Sequence, residues 1–449
     1  MSDRPFVQSA RLLSVAEALE VVRTHARPLE TVRLPLDDAW DLALAETIRA
    51  DRDSPPFDKA LMDGYALRAA DAAGRDEFAV QVIEEVPAGL VPTRPLGENE
   101  AALVMTGAPM PEGADAVVPR EWADDPAQDQ PDRPLPRLVR LRPPAPLVPG
   151  ANRMVRGREM TQGEEILTAP VRLSPARLGL LASLGVARPL VTRRPRLIVV
   201  PTGDELVEPD HDPGPGQIRN SNAFTLAALA RRAGVDPRIA PIVPDRLDEL
   251  RKTLAEALEW ADVVLVTGGV SAGDRDLVPA ALESLRVQTL FHKVRLKPGK
   301  PLLFGVGPER IASVSNPAET ARPPALVFGL PGNPVSGIVG FLLFVQPALR
   351  LLKRHEEGEA AKPPQVRLAT DFTHRGDRPT YHPARFVPRP GVLSTPDDSG
   401  DPHEQPWVEP LAWAGSADLR TIARADGFVV FEPGDARYPA GTLRPFLSF

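Results

Sequence analysis

Short apolar segments alternate with helix-like segments between residues 195 and 350, and this alternation restricts the fold more than any other feature of the chain. Three apolar runs are each followed by a helical pattern: 196–200 (RLIVV), 262–266 (DVVLV) and 325–330 (ALVFGL). In one further pattern four leucines are spaced by three, four and four residues: Leu247, Leu250, Leu254 and Leu258. This order predicts an α/β layer with a largely parallel sheet.

The segments on either side of this layer have other patterns. A capping box formed by Ser14 and Glu17 begins an amphipathic stretch at 14–26, which predicts an N-terminal helix. Between about 51 and 158 short apolar runs are separated by Pro and Gly, which is typical of a small β domain. Beyond about 360 five short strand-like runs follow: QVRLAT, ARFVP, WVEPL, GFVVF and GTLRPF. These runs predict a separate C-terminal β domain.

The composition excludes several kinds of chemistry. The 449 residues include no cysteine, so a disulfide framework, a thiolate metal site and a cysteine nucleophile are excluded. The seven histidines are scattered without metal-ligand spacing. With 53 Lys+Arg against 60 Asp+Glu, the net charge of −7 argues against a nucleic-acid partner.

Hydropathy at the N-terminus and along the chain argues against a membrane location. The N-terminus lacks a charged region followed by an apolar one, as an export signal requires. The most apolar stretch, 338–345, is shorter than the ~20 residues that span a bilayer. We therefore expect a cytoplasmic protein without a membrane partner.

Glycine-rich loops follow the three apolar strands, at 201–205, 267–276 and 330–336. In open parallel sheets ligands bind beyond the carboxyl ends of the strands, and free N–H groups there favour an anion. Any one loop could equally be an ordinary tight turn, but three on neighbouring strands favour a ligand site. The candidate binding residues are Thr202, Gly203, Gly268, Gly269, Ser271, Asp274, Pro331, Gly332, Asn333, Pro334 and Ser336.

Lysine is scarce, and three of only seven lysines lie between Lys293 and Lys300. A strand predicted at 291–296 would point Lys293, Arg295 and Lys297 to one face, and a Pro-Gly turn would bring Lys300 close. A solvated edge strand is the alternative. In a chain that otherwise uses Arg, grouped lysines favour a site that needs compact, movable charges.

Carboxylates accumulate in the same loops, at Glu205, Asp274 and Asp276, with Asp245 at the start of the leucine-striped helix. Such acids opposite lysines could hold Mg²⁺ together with an oxyanion. Asp245 could instead cap its helix, and Asp274 could bond its own turn.

The β-rich segment contributes two further candidates. Asp63 precedes a glycine within 54–66, where Phe57, Met62 and Tyr65 are possible packing anchors. Thr106 begins a Gly/Pro loop. Asp-Gly and Thr-Gly are also common turn signals, so each segment alone is a weak indication.

Seven long segments follow one another along the chain: SPPFDKALMDGYA, MTGAPMPEGADAVV, RLIVVPTGDEL, GQIRNSN, VTGGVSAGDRD, KVRLKPGKP and LPGNPVSG. In this order they resemble the molybdopterin molybdenumtransferase family, which is similar to the C-terminal domain of gephyrin. The resemblance implies a multi-domain α/β plus β fold with a central three-layer α/β domain, an inserted β-rich domain, a linking domain and a C-terminal β-barrel-like domain. The implied boundaries are 1–25 and 192–358 for the molybdopterin-binding α/β domain, 26–50 and 159–191 for the linking domain, 51–158 for the insert and 359–449 for the C-terminal domain.

The resemblance also implies an activity, namely insertion of molybdate into adenylylated molybdopterin with Mg²⁺ and release of AMP by a homodimer. The family's functional positions match Asp63, Thr106, Glu205, Asp245, Asp276, Lys293, Lys297, Pro331 and Pro334. The metal is assigned to Glu205, Asp245 and Asp276, and oxyanion contacts to Lys293 and Lys297. Asp63 and Thr106 would complete the partner's site. Handover from a molybdopterin adenylyltransferase and to molybdoenzymes is also implied.

The chain departs from the family's pattern at two places. Gly157-Arg158-Glu159 stands where the family usually has Gly-Glu-Asp, and the connection 305–324 is longer, which predicts an exposed excursion. Two other functions are considered. One is adenylylation of molybdopterin by ATP, because that related enzyme shares the TGGVS-type domain, and the other is a non-catalytic scaffold of the gephyrin kind. The insert and the C-terminal β domain favour the transferase.

Overall fold

The structure is a computed structural model, and it describes residues 12–127, 134–270, 277–310, 322–355, 363–390 and 405–449. The chain divides into two compact units. The larger unit comprises Met1–Ala45, Pro170–Pro175 and Arg188–Phe449, and the smaller one Glu46–Ala169 and Ala176–Ala187. Each unit is described by itself below.

The central sheet of the larger unit has six strands within the described ranges, in the order Pro237–Ile239, Leu197–Pro201, Val263–Thr267, Leu326–Leu330, Leu303–Val306 and Gln288–Phe291. The first four strands are parallel. Leu303–Val306 runs antiparallel to both of its neighbours, so Gln288–Phe291 has the same direction as the first four. Apolar side chains alternate along these strands between two separate cores, as with Val199 and Val200. Helices cover both faces, so the predicted three-layer α/β arrangement is confirmed.

The predicted helices of this unit are present. The N-terminal helix Val15–His25 begins with the expected capping box, in which Ser14 Oγ accepts from the Glu17 N–H at 3.2 Å and Glu17 Oε2 from the Ser14 N–H at 2.8 Å. The leucine-striped helix buries three of its four leucines and leaves Leu247 exposed. The leucine-striped helix is Leu247–Trp260, and three further helices are Asn222–Arg232, Leu277–Ser284 and Leu419–Ile422.

A long apolar helix leads away from the third glycine-rich loop. Pro334–Gly340, a π-helical turn Phe341–Val345 and Gln346–Leu352 follow without a break. These 19 residues are long and apolar enough to cross a membrane, but 72% of their most apolar window is buried within the protein. The segment is thus the central helix on one face of the sheet. Behind it, buried Lys353 donates to Asp41 Oδ2 at 2.9 Å.

The C-terminal region forms the predicted barrel. Five strands close on one another in the order Gln365–Leu368, Trp407–Pro410, Thr380–Val387, Gly427–Phe431 and Leu443–Ser448. Two strand pairs, Phe372–His374 with Ala436–Tyr438 and Leu206–Val207 with Ile218–Arg219, and a small sheet complete this unit. The small sheet has the order Thr31–Arg33, Leu190–Thr192, Ala43–Leu44 and Val171–Arg172.

The smaller unit is built on one mixed sheet, with strands in the order Ala116–Pro119, Gly64–Leu67, Glu100–Val104, Phe78–Val86, Arg137–Leu141 and Ala123–Asp124. Two short strand pairs flank it, Lys59–Ala60 with Arg153–Met154 and Ile48–Arg49 with Glu165–Leu167. Tyr65 is buried, and its hydroxyl donates to buried Asp125 at 2.8 Å. Phe57 and Met62 are 41% and 39% exposed, so only Tyr65 of the three expected anchors packs in the core. The helix Pro175–Ser183 belongs to this unit except for its first residue.

Candidate active site

The carboxyl ends of three parallel strands lie side by side in the larger unit. Pro201 pairs with Thr267, and Thr267 pairs with Leu330, in parallel register. Each of these residues is the last of its strand. The three glycine-rich loops therefore begin at one edge of the sheet, where ligands bind in folds of this kind.

The first loop is connected to the segment that carries Asp245. The N–H of Gly203 donates to the carbonyl of Val243 at 3.1 Å, and the hydroxyl of Thr202 donates to Asp245 Oδ1 at 3.1 Å. The helix Leu247–Trp260 has Arg246 at its N-cap without a side-chain bond, so Asp245 does not cap it. The helix-cap alternative is wrong, because the carboxylate turns back to the strand end instead.

Position 268, where the second loop approaches the first, requires glycine. Gly268 has φ +97°, and a Cβ there would overlap the carbonyl oxygen of Thr202. Its N–H donates to the carbonyl of Leu330 at 3.3 Å. Gly332 of the third loop has space for a Cβ, whose nearest neighbour would be the Cα of Gly268 at 3.8 Å. The described start of the second loop, at Gly268, is thus held between the other two loops.

Asn222 joins two of these loops and is not among the site residues predicted from the sequence. Its side-chain amide donates to Thr267 Oγ1 at 3.0 Å and to the carbonyl of Gly332 at 2.7 Å. Asn222 is the first residue of its helix and lies inside the GQIRNSN segment. An asparagine at the end of the GQIRNSN segment, where the helix begins, is the sequence signal that could have identified Asn222.

The third loop turns directly into the long apolar helix. Gly332 and Asn333 are exposed, whereas Pro331 and Ser336 are buried. Pro334 is the first helical residue, where its missing N–H costs no hydrogen bond. The loop therefore presents backbone and Asn333 at the sheet edge, while Pro331 and Ser336 belong to the core.

The strand predicted at 291–296 is wrong. The strand ends at Phe291, and Val294 and Lys297 form only isolated bridges, to Leu13 and to Thr380. The backbone pairs with two distant parts of the chain, which no local pattern indicates. The expected alternation is nevertheless present, with Lys293, Arg295 and Lys297 exposed and the residues between them buried.

The lysine segment lies next to two of the loops. His292 donates through Nε2 to the carbonyl of Val270 at 2.7 Å. A Cβ on Gly299 would lie 3.5 Å from the carbonyl oxygen of Ser336. Lys293, Lys297 and Lys300 are all exposed, and none has an ion-pair partner in the part of the chain that the structure describes. Three cations that form no ion pair with a described residue therefore accompany the loops.

The acidic candidates are only partly visible. Glu205 is exposed, with its carboxylate against Gly203, and Asp245 is exposed as well. Ser271, Asp274 and Asp276 lie outside the described residues, as does most of the connection 305–324, namely 311–321. Among the described residues no group of three or more His, Asp or Glu side chains could by itself hold a metal.

Asp63 and Thr106 are neighbours in the smaller unit. Gly64 pairs with Val104 in the antiparallel register, so the residues just beyond these strand ends meet. Both the N–H and the hydroxyl of Thr106 donate to Asp63 Oδ1, each at 2.7 Å. These bonds, the backbone one first, hold the pKa of Asp63 below its ordinary value.

Glu159 has a clear structural role in the same unit. Its Oε2 accepts from the hydroxyl of Ser54 at 2.7 Å, and its Oε1 lies 3.5 Å from the ammonium of Lys59. The hydroxyl bond and then the lysine charge lower the pKa of Glu159. Glu159 therefore holds Ser54, at which the segment 54–66 that contains Asp63 begins.

A groove of about 430 Å³ lies between the edge strand Pro237–Ile239 and the helix Leu247–Trp260. The guanidinium of Arg238 stacks over the ring of Trp260 at 3.8 Å. None of the predicted site residues lines this groove. The chemistry indicated by the loops is therefore on the open sheet edge rather than in this groove.

Comparison with known proteins agrees with this architecture along the whole chain. Family models described as "MoeA N-terminal region (domain I and II)", "Probable molybdopterin binding domain" and "MoeA C-terminal region (domain IV)" match residues 13–185, 198–351 and 365–449. A crystal structure of a molybdopterin biosynthesis MoeA protein from Pyrococcus horikoshii is similar with a TM-score of 0.73 at 27% identity, covering 98% of this chain and 99% of that one.

Curated relatives are similar over nearly the same length. The molybdopterin molybdenumtransferase of Bacillus subtilis (strain 168) is 32% identical over 432 residues, which is 96% of this chain and 92% of the relative. The enzyme of the same name from Staphylococcus aureus (strain MSSA476) is 30% identical over 441 residues, or 97% and 95% of the two chains. The chain therefore belongs to the molybdopterin molybdenumtransferase family of enzymes, which act in molybdenum cofactor biosynthesis.

Proposed function

We propose that this enzyme inserts molybdate into adenylylated molybdopterin and releases AMP with the help of Mg²⁺. The observation that carries the proposal is the register of Pro201, Thr267 and Leu330, which places three glycine-rich loops at one sheet edge beside exposed lysines. Such an edge binds phosphate-linked ligands through free backbone N–H groups.

The lysines serve the anionic parts of both substrates. Molybdate is a tetrahedral oxyanion, and the nucleotide-linked pterin carries a pyrophosphate. Lys293 and Lys297 contact the oxyanion, and Lys300 with the glycines of the loops grips the phosphates. Because these ammonium groups have no ion-pair partner among the described residues, no ion pair with that part of the chain has to be broken before the anions bind.

The carboxylates hold the metal. Mg²⁺ takes one or two protein carboxylates, with substrate oxygens and waters as its other ligands. Glu205 and Asp245 fit this donor set, because both are exposed on segments that the Gly203–Val243 hydrogen bond joins. Asp276, which lies outside the described residues, is the third proposed ligand. When bound, the ion polarises the phosphoryl oxygens. Thr202 then orients the Asp245 carboxylate.

The remaining assignments follow the resemblance. Asp63 and Thr106 complete the site of the partner subunit in a homodimer, and Pro331 and Pro334 shape the third loop. The domains have the boundaries given above, with residues 26–50 and 159–191 as the linking domain. The enzyme works in the cytoplasm, takes its substrate from a molybdopterin adenylyltransferase and delivers the cofactor to molybdoenzymes.

The test is molybdate-dependent AMP release from adenylylated molybdopterin by purified variants. Lys297→Ala and Asp276→Ala should each lower the rate by about a hundredfold, as loss of one charged contact to a reacting oxyanion does. Lys252→Ala, which removes an exposed lysine in the groove described above, is the matched control and should retain the rate. Near-normal turnover by both site variants would refute the assignment. Consumption of ATP with unadenylylated molybdopterin would favour the adenylylation activity instead.

A further inference from the structure

The backbone of Lys297 is held by the C-terminal barrel. Its N–H donates to the carbonyl of Pro379 at 2.9 Å, and its own carbonyl accepts from the N–H of Tyr381 at 2.8 Å. Tyr381 belongs to the barrel strand Thr380–Val387. Both backbone groups of this lysine are therefore satisfied by a single segment of another domain.

Arg295 adds a side-chain bond to the same connection. Its Nη2 donates to the carbonyl of Asp377 at 2.8 Å, two residues before Pro379. In the opposite direction, Arg378 Nη1 lies 3.5 Å from the carbonyl of Leu296. The sequence pattern predicts that Arg295 joins the lysines as a charge for a ligand. The structure instead commits its guanidinium to a backbone carbonyl of the barrel region.

The C-terminal region shares a hydrophobic core with the α/β layer. Tyr381, Ile422 and Phe428 pack in the same hydrophobic core as the long apolar helix and one face of the central sheet. The N–H of Val335, at the start of that helix, also donates to the carbonyl of Ser416 at 3.1 Å. The C-terminal region therefore holds both the lysine segment and the third loop.

The positive charge of Lys297 acts on a buried histidine of the C-terminal region. His374 is 3% exposed, and burial followed by the nearby Lys297 ammonium lowers the pKa of its imidazole. The ammonium of Lys297 is therefore close enough to the strand Phe372–His374 for its charge to act on His374. A lysine has a long flexible stem, so where its ammonium can reach depends strongly on where its backbone is fixed.

We propose that Arg295 is a positioning residue, which holds the Asp377 carbonyl and thereby fixes the backbone of Lys297 so that its ammonium meets the bound oxyanion. The inference rests on the proposed function, in which Lys297 contacts molybdate. It adds that the C-terminal barrel takes part in substrate binding through this connection. Arg295 itself makes no contact with the substrate.

The experiment compares full-length variants by the KM for molybdate and by kcat. Arg295→Ala should raise the KM about tenfold or more while kcat changes less than about threefold, because a displaced Lys297 weakens oxyanion binding. Arg295→Lys keeps a cation that can reach the carbonyl and should restore much of the affinity. Arg385→Ala is the matched control, since it removes a partly exposed arginine of the same barrel strand, whose guanidinium pairs with Glu409 at 2.8 Å. Its KM should stay within about twofold of the original value.

Amide hydrogen exchange gives a readout that does not depend on activity. In Arg295→Ala the amides of Lys297 and Tyr381 should exchange faster, whereas those of the strand Gly427–Phe431 should not. A fall in kcat with unchanged KM would indicate general destabilisation and would overturn the proposal. So would unchanged KM and unchanged exchange. If Lys297→Ala itself keeps full activity, the proposed function of that lysine fails. If Lys297→Ala is inactive but Arg295→Ala is normal, only the positioning role fails.

Discussion

The hydroxyl of Thr202 donates to the carboxylate of Asp245, with Oγ1 and Oδ1 3.1 Å apart. Thr202 is 1% exposed at a strand end, whereas Asp245 is exposed two residues before a helix. The core of the sheet thereby aims a carboxylate at the edge where we place the metal. A buried residue that orients an exposed ligand commonly has a strong effect on metal affinity.

Thr202→Val removes this bond and keeps the shape of the side chain. We expect the Mg²⁺ concentration for half-maximal activity to rise about tenfold, because the Asp245 carboxylate is no longer oriented. The measurement is AMP release during a Mg²⁺ titration. Thr225→Val is the control, since that hydroxyl donates only to the helix carbonyl of Ser221 at 3.1 Å. An unchanged Mg²⁺ requirement in Thr202→Val would contradict the metal role of Asp245.

Gly268→Ala should destabilise the larger unit by about 1–3 kcal/mol, because alanine is strained in the left-handed region and its Cβ would overlap the Thr202 carbonyl. Gly332→Ala, on the facing loop, has an open Cβ position and should change the free energy of unfolding by less than about 1 kcal/mol. Urea denaturation of the two variants measures the difference. Equal losses would show that the strain at Gly268 is absent.

Asn222→Ala should lower the free energy of unfolding by about 1–3 kcal/mol, since two hydrogen bonds between loops are lost. Asn222→Asp should be worse, because a carboxylate would face the carbonyl of Gly332 without a proton to donate. Activity at saturating substrate should fall in both, as the second and third loops lose their connection. Stable and fully active variants would mean that Asn222 does not join the loops in solution.

Asp63 should stay ionised to a lower pH than an ordinary aspartate, because the Thr106 N–H and hydroxyl stabilise its charge. Since the pKa of Asp63 in the folded state is depressed, its contribution to stability is present above the unfolded pKa and is lost as pH falls through the folded one. In Thr106→Val the backbone bond remains, so the pKa should move only part of the way back. Thr106→Ser should leave it low. A carboxyl NMR titration of labelled protein measures these values, and identical titrations in all three proteins would contradict the bond.

Local patterns were sufficient where the structure depends on neighbouring residues. Periodicity predicted the strands around Leu197 and Val263 and the helix with Leu250 and Leu254, because the side chains of these elements must fill the two cores. Glycines after strands predicted the first and third loops and the start of the second, which are the parts that the structure describes. The capping box at Ser14 is a local signal of the same kind.

The sequence does not predict contacts between residues that are distant along the chain. The sequence after Phe291 predicts a strand because charged and apolar residues alternate in it, but its backbone partners are Leu13 and Thr380, about 280 and 85 residues away along the chain. Asn222 was overlooked because its partners lie on loops that only the sheet brings together. The predicted domain boundaries and site roles stay predictions.

The long apolar helix Pro334–Leu352 also bears on how the chain can be synthesised. Such a segment is at risk of aggregation or misplaced insertion while it is exposed. Its covering strands Leu197–Pro201, Val263–Thr267 and Leu326–Leu330 all precede it in the sequence and leave the ribosome first. The order of elements along the chain thus lets the helix find a surface to pack on as soon as it emerges, before the barrel has been made.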